Sequence, residues 1–139
     1  MVNSNVPVKR ADTHQHLLLL GLGTGRHLTF LFQYFVNSYD VVDISHIFLE
    51  ACRGSRALAT LERVTHVRRG EYIECHFHDA PGRLTANFNL AVGIWTLGYI
   101  PHGRLARFLR DLRDQANAGA RIVFKERVLP ENGPVPVQE

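Results

Sequence analysis

Three glycines at alternate positions, Gly21, Gly23 and Gly25, form the stretch of the sequence with the clearest chemical meaning. They follow the apolar run Leu17 to Leu20, which is short enough to be a buried parallel strand, and they precede a helical pattern. Glycines have no Cβ, so a ligand can lie against the main chain, where the first N–H groups of the next helix also point. The stretch therefore predicts a loop for a nucleotide-type cofactor. The dinucleotide pattern G-x-G-x-x-G does not fit, because its third glycine would fall on Arg26.

An acidic residue follows the glycine loop at the distance expected for ribose binding. Tyr39 to Asp43 is typical of a short second strand that ends in a carboxylate. Asp43 lies 18 residues past Gly25, near the ~20 at which doubly wound folds place such an acid. A carboxylate can accept two hydrogen bonds from a vicinal diol. The alternative role of Asp43 is the N-cap of the next helix, but together with the glycine loop the sequence favours ribose binding.

The elements that must position these residues alternate between strands and helices. The predicted strands run from His16 to Leu20, Tyr39 to Val42, Tyr72 to Phe77 (ending at His78-Asp79), Asn87 to Trp95 and Arg121 to Lys125. The predicted helices run from Arg26 to about Asn37, from Ser45 to Leu61 with Gly54 as a potential break, and from Pro101 to about Asn117 with Gly119 as a helix stop. In the last helix, the side chains expected to face inward are Leu105, Phe108, Leu109 and Leu112.

This alternation predicts an α/β fold with a Rossmann-like core. We expect a mostly parallel sheet of about five strands with helices on both faces. Ligands bind such sheets at the carboxyl ends of the strands. The glycine loop, Asp43 and the pair His78-Asp79 all fall at those ends, so the sequence predicts one shared site there.

Length and composition favour one globular domain. We expect a loose N-terminal lead-in over residues 1–13, a folded domain over residues 14–129 and a flexible tail over residues 130–139. The net charge of +3 comes mostly from dispersed arginines, which are more typical of a solvated surface than of a nucleic-acid interface. We therefore expect no nucleic-acid partner. The apolar run is too short to span a membrane and no signal peptide is apparent, so no membrane partner is expected either.

The cysteines and histidines suggest no obvious metal or disulfide framework. Cys52 and Cys75 are too few and too far apart, which favours a reducing compartment and a cytoplasmic location, with the nucleus as an alternative. His76 and His78 alternate beside Asp79, and His14 and His16 repeat that spacing. Without a further ligand at convincing spacing, ordinary surface or strand histidines are the favoured interpretation, and no metal is expected.

The G-x-G-x-G spacing resembles the first motif of class I S-adenosylmethionine (SAM) methyltransferases. Most of residues 17–127 resemble one family among them, the protein N-terminal alpha-N-methyltransferases that modify Xaa-Pro-Lys termini. The segments that carry this resemblance are Leu-Gly-Leu-Gly-Thr-Gly-Arg (20–26), Val-Val-Asp-Ile-Ser (41–45) with Phe48-Leu49, Gly-Ile-Trp-Thr-Leu-Gly-Tyr (93–99), Leu-Ala-Arg-Phe-Leu-Arg (105–110) and Ile-Val-Phe-Lys-Glu (122–126).

The resemblance implies SAM as cofactor and a protein N-terminal peptide as substrate. It implies that Gly21, Gly23 and Arg26 contact the methionine part of SAM and that Gly25 is a further cofactor-binding residue of the same loop. By the same resemblance, Asp43 would bind the ribose, and Phe77 and His78 would flank the adenine. Trp95 would lie between the cofactor and the substrate. An arginine beside the loop can pair with a carboxylate, and an indole face can contact a cation.

Departures from the family pattern leave alternatives open. Tyr99 stands where the family has a histidine, and His102 is close by in sequence. Tyr99 and His102 are the favoured candidates for the base that takes the amine proton, and Glu126 is a less favoured candidate. Arg127 replaces an asparagine, and the substrate-binding flanks of the family are depleted. The alternatives are a catalytically impaired SAM-fold partner or regulator and a methyltransferase for a different small acceptor. An uncovered sheet edge would also favour a homodimer or heterodimer.

Overall fold

The computed structural model describes residues 15–21, 36–67 and 69–126. Its five strands are β1 (His16–Leu20), β2 (Ser38–Asp43), β3 (Arg69–Glu74), β4 (Phe88–Ile94) and β5 (Ala116–Lys125). Its α-helices are α1 (His46–Arg53), α2 (Arg56–Val64) and α3 (Leu105–Asp114), and short 3₁₀ helices span Phe77–Arg83, Leu97–Tyr99 and His102–Arg104. The helix predicted from Arg26 lies outside the described residues except for its last two positions, Val36 and Asn37, which lead into β2.

The five strands form one parallel sheet in the order β3-β2-β1-β4-β5. This order confirms the predicted Rossmann-like architecture. The first crossovers lead from β1 outward to β2 and β3, and the chain then returns to the other side of β1 to form β4. The strand order reverses between β1 and β4, and in open α/β sheets ligands bind at the carboxyl ends of the strands beside such a reversal.

The four leucines of β1 form the centre of two hydrophobic cores. Successive side chains of a strand point to opposite faces, so Leu17 and Leu19 pack on one face and Leu18 and Leu20 on the other. All four side chains are buried, which explains why the central strand is an unbroken apolar run. The first core also contains the helix residues Leu49 and Leu58, and the second contains Phe108 and Leu112.

A serine begins each of the first two helices. The hydroxyl of Ser45 accepts a hydrogen bond from the Phe48 N–H at 3.3 Å, and that of Ser55 accepts one from the Leu58 N–H at 3.1 Å. Gly54 ends α1, so the predicted helix from Ser45 is divided into two at the anticipated break.

The end of β3 and the beginning of β5 differ from the prediction. β3 ends at Glu74, and Phe77 instead begins a 3₁₀ helix that contains the buried Pro81. α3 ends at Asp114 and β5 begins at Ala116, five residues earlier than predicted. The sheet register shifts between Phe88 and Leu90, because β5 contains extra residues that form a bulge.

Two further expectations about this region are wrong. Gly119 is not a helix stop; it lies inside the bulged strand with φ +79°, which glycine adopts without steric cost. Leu109 is 39% exposed, so the inward face of α3 is carried by Phe108 and Leu112, with Leu105 partly buried against the same core.

A buried polar network joins the first strands near their amino ends. The Nε2 of His16 lies 2.8 Å from an oxygen of Asp40, and its Nδ1 lies 2.7 Å from the Ser38 hydroxyl. Asp40 is fully buried and also accepts hydrogen bonds from the N–H and hydroxyl of Thr85. Both ring nitrogens of His16 are thus engaged, which gives this histidine a structural role at the sheet edge opposite the predicted site.

Candidate cofactor site

Backbone hydrogen bonds link the carboxyl ends of the strands to one another. The Gly21 N–H donates to the Val42 carbonyl at 2.8 Å, and the Cys75 N–H donates to the Asp43 carbonyl at 3.2 Å. On the other side, the Trp95 N–H donates to the Lys125 carbonyl at 2.7 Å. The residues that follow the strands are therefore fixed on a rigid edge, where a site can be positioned accurately.

Gly21 lies where β1 ends, in a conformation that favours glycine. Its φ is +96°, and a Cβ added here would lie 3.7 Å from the Phe77 ring and 3.9 Å from the Ile94 carbonyl oxygen. The structure thus brings Gly21 together with the segment after β3 and the end of β4. Gly23, Gly25 and Arg26 lie outside the described residues, so their predicted roles stay predictions.

Asp43 ends β2 and is 8% exposed. One of its carboxylate oxygens accepts a hydrogen bond from the Ser45 N–H at 2.8 Å, which fixes the orientation of the group. The N-cap of α1 is Ser45, so the alternative that Asp43 caps this helix is wrong. The carboxylate is oriented and largely desolvated, and such a group is suited to accept hydrogen bonds from ligand hydroxyls.

Phe77 and His78 lie in the 3₁₀ helix after β3. The Phe77 ring packs edge-on against the Tyr99 ring with centroids 6.3 Å apart, which joins this helix to the segment after β4. The His78 ring stacks on His76 at 5.4 Å, and its side chain is only 10% exposed. Its buried Nδ1 has no hydrogen-bond partner among the described residues. Such a nitrogen is commonly satisfied by a bound ligand or water.

The histidines of this segment are not placed as the metal alternative requires. His76 and His78 do not alternate on a strand, because β3 ends before them. Asp79 lies 3.8 Å from Nε2 of His78, which is an ion-pair distance rather than a ligand geometry. In the described ranges, no group of three or more histidine, cysteine, aspartate or glutamate side chains could hold a metal ion.

Trp95 follows the last residue of β4 and has φ +54°. A positive φ is uncommon for a residue with a bulky side chain and often marks a functional or strained position. The indole is 55% exposed, as a group that contacts a substrate must be. The predicted strand ended at Trp95, whereas β4 ends one residue earlier at Ile94, because Trp95 has a left-handed backbone for which the sequence has no signal.

The two candidate bases have different surroundings. Tyr99 is 76% exposed and touches Phe77, so it lies at the same edge as Gly21. His102 is also exposed, but its side chain makes no hydrogen bond, ion pair or ring contact within the described part of the chain. The structure therefore joins Tyr99 to the site and gives no such link for His102.

Sequence reasoning missed an apolar surface beside Asp43. Ile44, Ile47 and Phe48 are 59%, 78% and 45% exposed at the start of α1. Their position just after Asp43 in the sequence could have indicated this surface, because large apolar side chains that do not face the core are candidates for ligand contact.

The two cysteine thiols, those of Cys52 and Cys75, have raised pKa values. Burial, with a contribution from the Asp43 charge, raises the pKa of the Cys52 thiol, and burial raises the pKa of the Cys75 thiol. Both cysteines are free. Neither thiol has the lowered pKa that an activated nucleophile requires.

Comparison with known proteins gives no match to a protein-family model and no match to a curated protein sequence. Solved structures do match. A SAM-dependent methyltransferase from Leishmania major has a TM-score of 0.64 and 21% identity, over 86% of this chain and 45% of the other. The sugar N-methyltransferase KedS8 from a Streptoalloteichus species has a TM-score of 0.60 and 23% identity, over 84% and 42%. The complex of DhpI with SAM and HEP has a TM-score of 0.57 and 18% identity, over 85% and 49%.

The chain has the fold of the SAM-dependent methyltransferases. At these identities the similarity concerns the fold. The chain spans about half the length of the solved structures that it matches. None of the helices in the described residues is long and apolar enough to cross a membrane.

Proposed function

We propose that this chain binds SAM at the carboxyl edge of its sheet and transfers the methyl group to an amine. The observation that carries the proposal is the convergence of Gly21, Asp43 and the 3₁₀ helix with His78 beside the point where strand order reverses. These groups fit the parts of SAM. Gly21 lets a ligand lie close to the main chain, and Asp43 presents an oriented carboxylate to the ribose diol. The Nδ1 of His78, which has no hydrogen-bond partner among the described residues, is available to hydrogen-bond the adenine.

Bound SAM would supply an electrophilic methyl group on a sulfonium cation. In the transfer, the amine nitrogen forms a bond to the methyl carbon while the carbon–sulfur bond breaks and its electron pair goes to sulfur. The protein must align the two groups and exclude water. The exposed Trp95 offers its π face to a cationic group at this edge.

An amine must lose a proton before it can attack. The phenol of Tyr99 is the favoured relay for this proton: its oxygen takes the amine proton while its own hydroxyl proton passes to water. Tyr99 is exposed and packs against Phe77, which itself lies beside Gly21. His102 is the second candidate. The favoured substrate is the α-amino group of a protein N-terminus of the Xaa-Pro-Lys type, for which the sequence segments around Asp43 and Trp95 are the support.

A small amine is the second candidate acceptor. It is supported by the structural similarity to a protein described as a sugar N-methyltransferase. Both candidates require the same cofactor site and differ only in what contacts Trp95 and Tyr99.

The test is methyl transfer from labelled SAM to a panel of acceptors. The panel contains an Xaa-Pro-Lys peptide, the same peptide with an acetylated N-terminus, and an amino sugar. We expect label in the free peptide and none in the acetylated control. Tyr99→Phe should lower kcat by about 10²-fold or more while SAM binding is retained. Label in the amino sugar alone would change the acceptor, and cofactor binding without transfer to any acceptor would favour the partner or regulator alternative.

A further inference from the structure

We propose that Glu126 is a positioning residue that fixes the turn carrying Trp95 and Tyr99. The role rests on the proposed function, because the turn is where the acceptor would bind. Glu126 directly follows β5, whereas Trp95 directly follows β4, so the side chain acts across two neighbouring strand ends.

The contact is a two-donor hydrogen bond to one carboxylate oxygen. Oε1 of Glu126 accepts from the N–H of Thr96 and from the N–H of Leu97, both at 2.9 Å. These N–H groups lie at the start of the 3₁₀ helix Leu97–Tyr99, where no preceding turn can pair them. Hydrogen bonds from N–H groups to a charged acceptor are stronger than those to a neutral one.

The turn is anchored from the other side by Thr96. This buried residue donates its hydroxyl proton to the Leu20 carbonyl at 3.0 Å, next to Gly21. The absence of a side chain at Gly93 makes room for Thr96, because a Cβ at this position would lie 2.8 Å from the Thr96 hydroxyl oxygen. The turn is thus held between the last residue of β1 and the carboxylate of Glu126.

A conformational reason explains why such an anchor is needed. Trp95 has φ +54°, which residues with a side chain rarely adopt, and its N–H already donates to Lys125. Without Glu126, the two N–H groups that follow Trp95 would lose their acceptor, and the backbone could relax toward a negative φ. The indole would then move relative to Gly21 and Asp43.

The geometry assigns one oxygen of Glu126 to positioning. Two N–H donors occupy the two lone pairs of Oε1, so proton transfer by this side chain would have to use Oε2. The two roles can be separated by Glu126→Gln, because the amide oxygen can still accept both hydrogen bonds but the amide cannot take a proton. Glu126→Ala removes both functions, and Glu126→Asp keeps the charge but shortens the reach by one methylene.

The chain has a single tryptophan, so its fluorescence reports Trp95 without any assay of activity. We expect Glu126→Ala and Glu126→Asp to shift the emission maximum and to increase quenching by acrylamide, with Glu126→Gln close to the parent chain. Circular dichroism is the control for folding. The aspartate variant keeps the test valid where the alanine variant fails to fold.

Kinetics give the second measurement. We expect Glu126→Ala to lower kcat/KM for the acceptor by about 10-fold or more, since misplacement of a binding group is costly. Its affinity for S-adenosylhomocysteine should stay within about threefold of the parent value if Asp43 and Gly21 hold the cofactor. Glu126→Gln should restore the acceptor kinetics.

Two results would overturn the proposal. Unchanged fluorescence in folded Glu126→Ala would show that Trp95 does not depend on the carboxylate. Parent-like fluorescence in Glu126→Gln combined with an alanine-like loss of kcat would assign proton transfer to Glu126. If the parent chain neither binds S-adenosylhomocysteine nor transfers methyl groups, the proposed function fails, while the fluorescence comparison still decides the positioning role.

Discussion

At the scale of single residues, both central strands end in a left-handed backbone. Gly21 follows β1 with φ +96°, and Trp95 follows β4 with φ +54°. Glycine adopts this conformation freely, whereas tryptophan must be held there by its surroundings. The first residue opens space for a ligand against the main chain, and the second presents an exposed aromatic ring beside it.

Gly21→Ala should therefore impair both stability and binding. We expect a loss of about 1–2 kcal/mol in the free energy of unfolding, because an L side chain disfavours this φ. Affinity for S-adenosylhomocysteine should fall as well, since the new methyl group would occupy space beside the Phe77 ring, where the ligand is proposed to bind. Chemical denaturation and calorimetric titration measure the two effects.

Gly119→Ala is the matched control for this change. Gly119 also has a positive φ, +79°, but a Cβ there meets no atom within 4 Å. We expect a similar loss of stability with no change in binding. Equal binding by both variants would show that the main chain at Gly21 does not contact the ligand.

At the scale of elements, a hydroxyl network joins α2 to the sheet. Tyr39 of β2 hydrogen-bonds Glu62 of α2, and its hydroxyl lies 2.8 Å from that of Tyr72 on β3. Gly70 makes room for the Tyr39 ring, since a Cβ there would overlap it at 2.1 Å. These residues line a cavity of about 280 Å³ against β3. The network holds α2 against β2 and β3.

The network predicts a loss of stability at alkaline pH. Burial raises the pKa of Tyr72 from 10.0 to about 12, and burial also raises the pKa of Tyr39. The unfolded chain releases these protons first, so the stabilisation is complete below pH 10 and is lost as the pH rises toward about 12. Denaturation measured across this interval should show a smaller decline in Tyr72→Phe than in the parent chain. Equal declines would contradict the role of this tyrosine.

Elements that depend on local sequence patterns could be predicted, whereas features that depend on contacts between distant residues could not. β1 and the break at Gly54 follow from local patterns, an apolar run and a glycine before a serine cap, and both are confirmed. The end of β3 was missed because the residues from Tyr72 to Phe77 fit a strand pattern: Ile73, Cys75 and Phe77 alternate and pack against the same core, although Phe77 does so from a 3₁₀ helix. The bulge in β5 depends on pairing with β4, which no local pattern encodes.

In the candidate site too, the features set by sequence spacing could be predicted and those set by distant contacts could not. The positions of Gly21 and Asp43 followed from spacing, because strand ends of a parallel sheet converge whatever lies between them. The hydrogen bonds of Glu126 connect residues about 30 positions apart, and the buried nitrogen of His78 depends on packing. Such features arise only in the folded chain.

At the scale of the whole molecule, the amino ends and the carboxyl ends of the strands have different roles. The His16–Asp40 network satisfies buried polar groups near the amino ends of the strands. Gly21, Asp43, His78 and Trp95 lie at the carboxyl ends. This separation is common in α/β proteins, because a rigid sheet can position loops whose residues are free to vary. The proposed function therefore requires that the carboxyl ends of the strands bind the cofactor.

Calorimetric titration of the purified chain with S-adenosylhomocysteine tests this most directly. We expect micromolar binding by the parent chain and binding at least about 100-fold weaker by Asp43→Ala, because hydrogen bonds to a charged group contribute about 1.5–3 kcal/mol each. Asp111→Ala on α3 is the matched control and should bind as the parent does. No binding by a folded parent chain, or equal binding by Asp43→Ala, would contradict the assignment of the cofactor site.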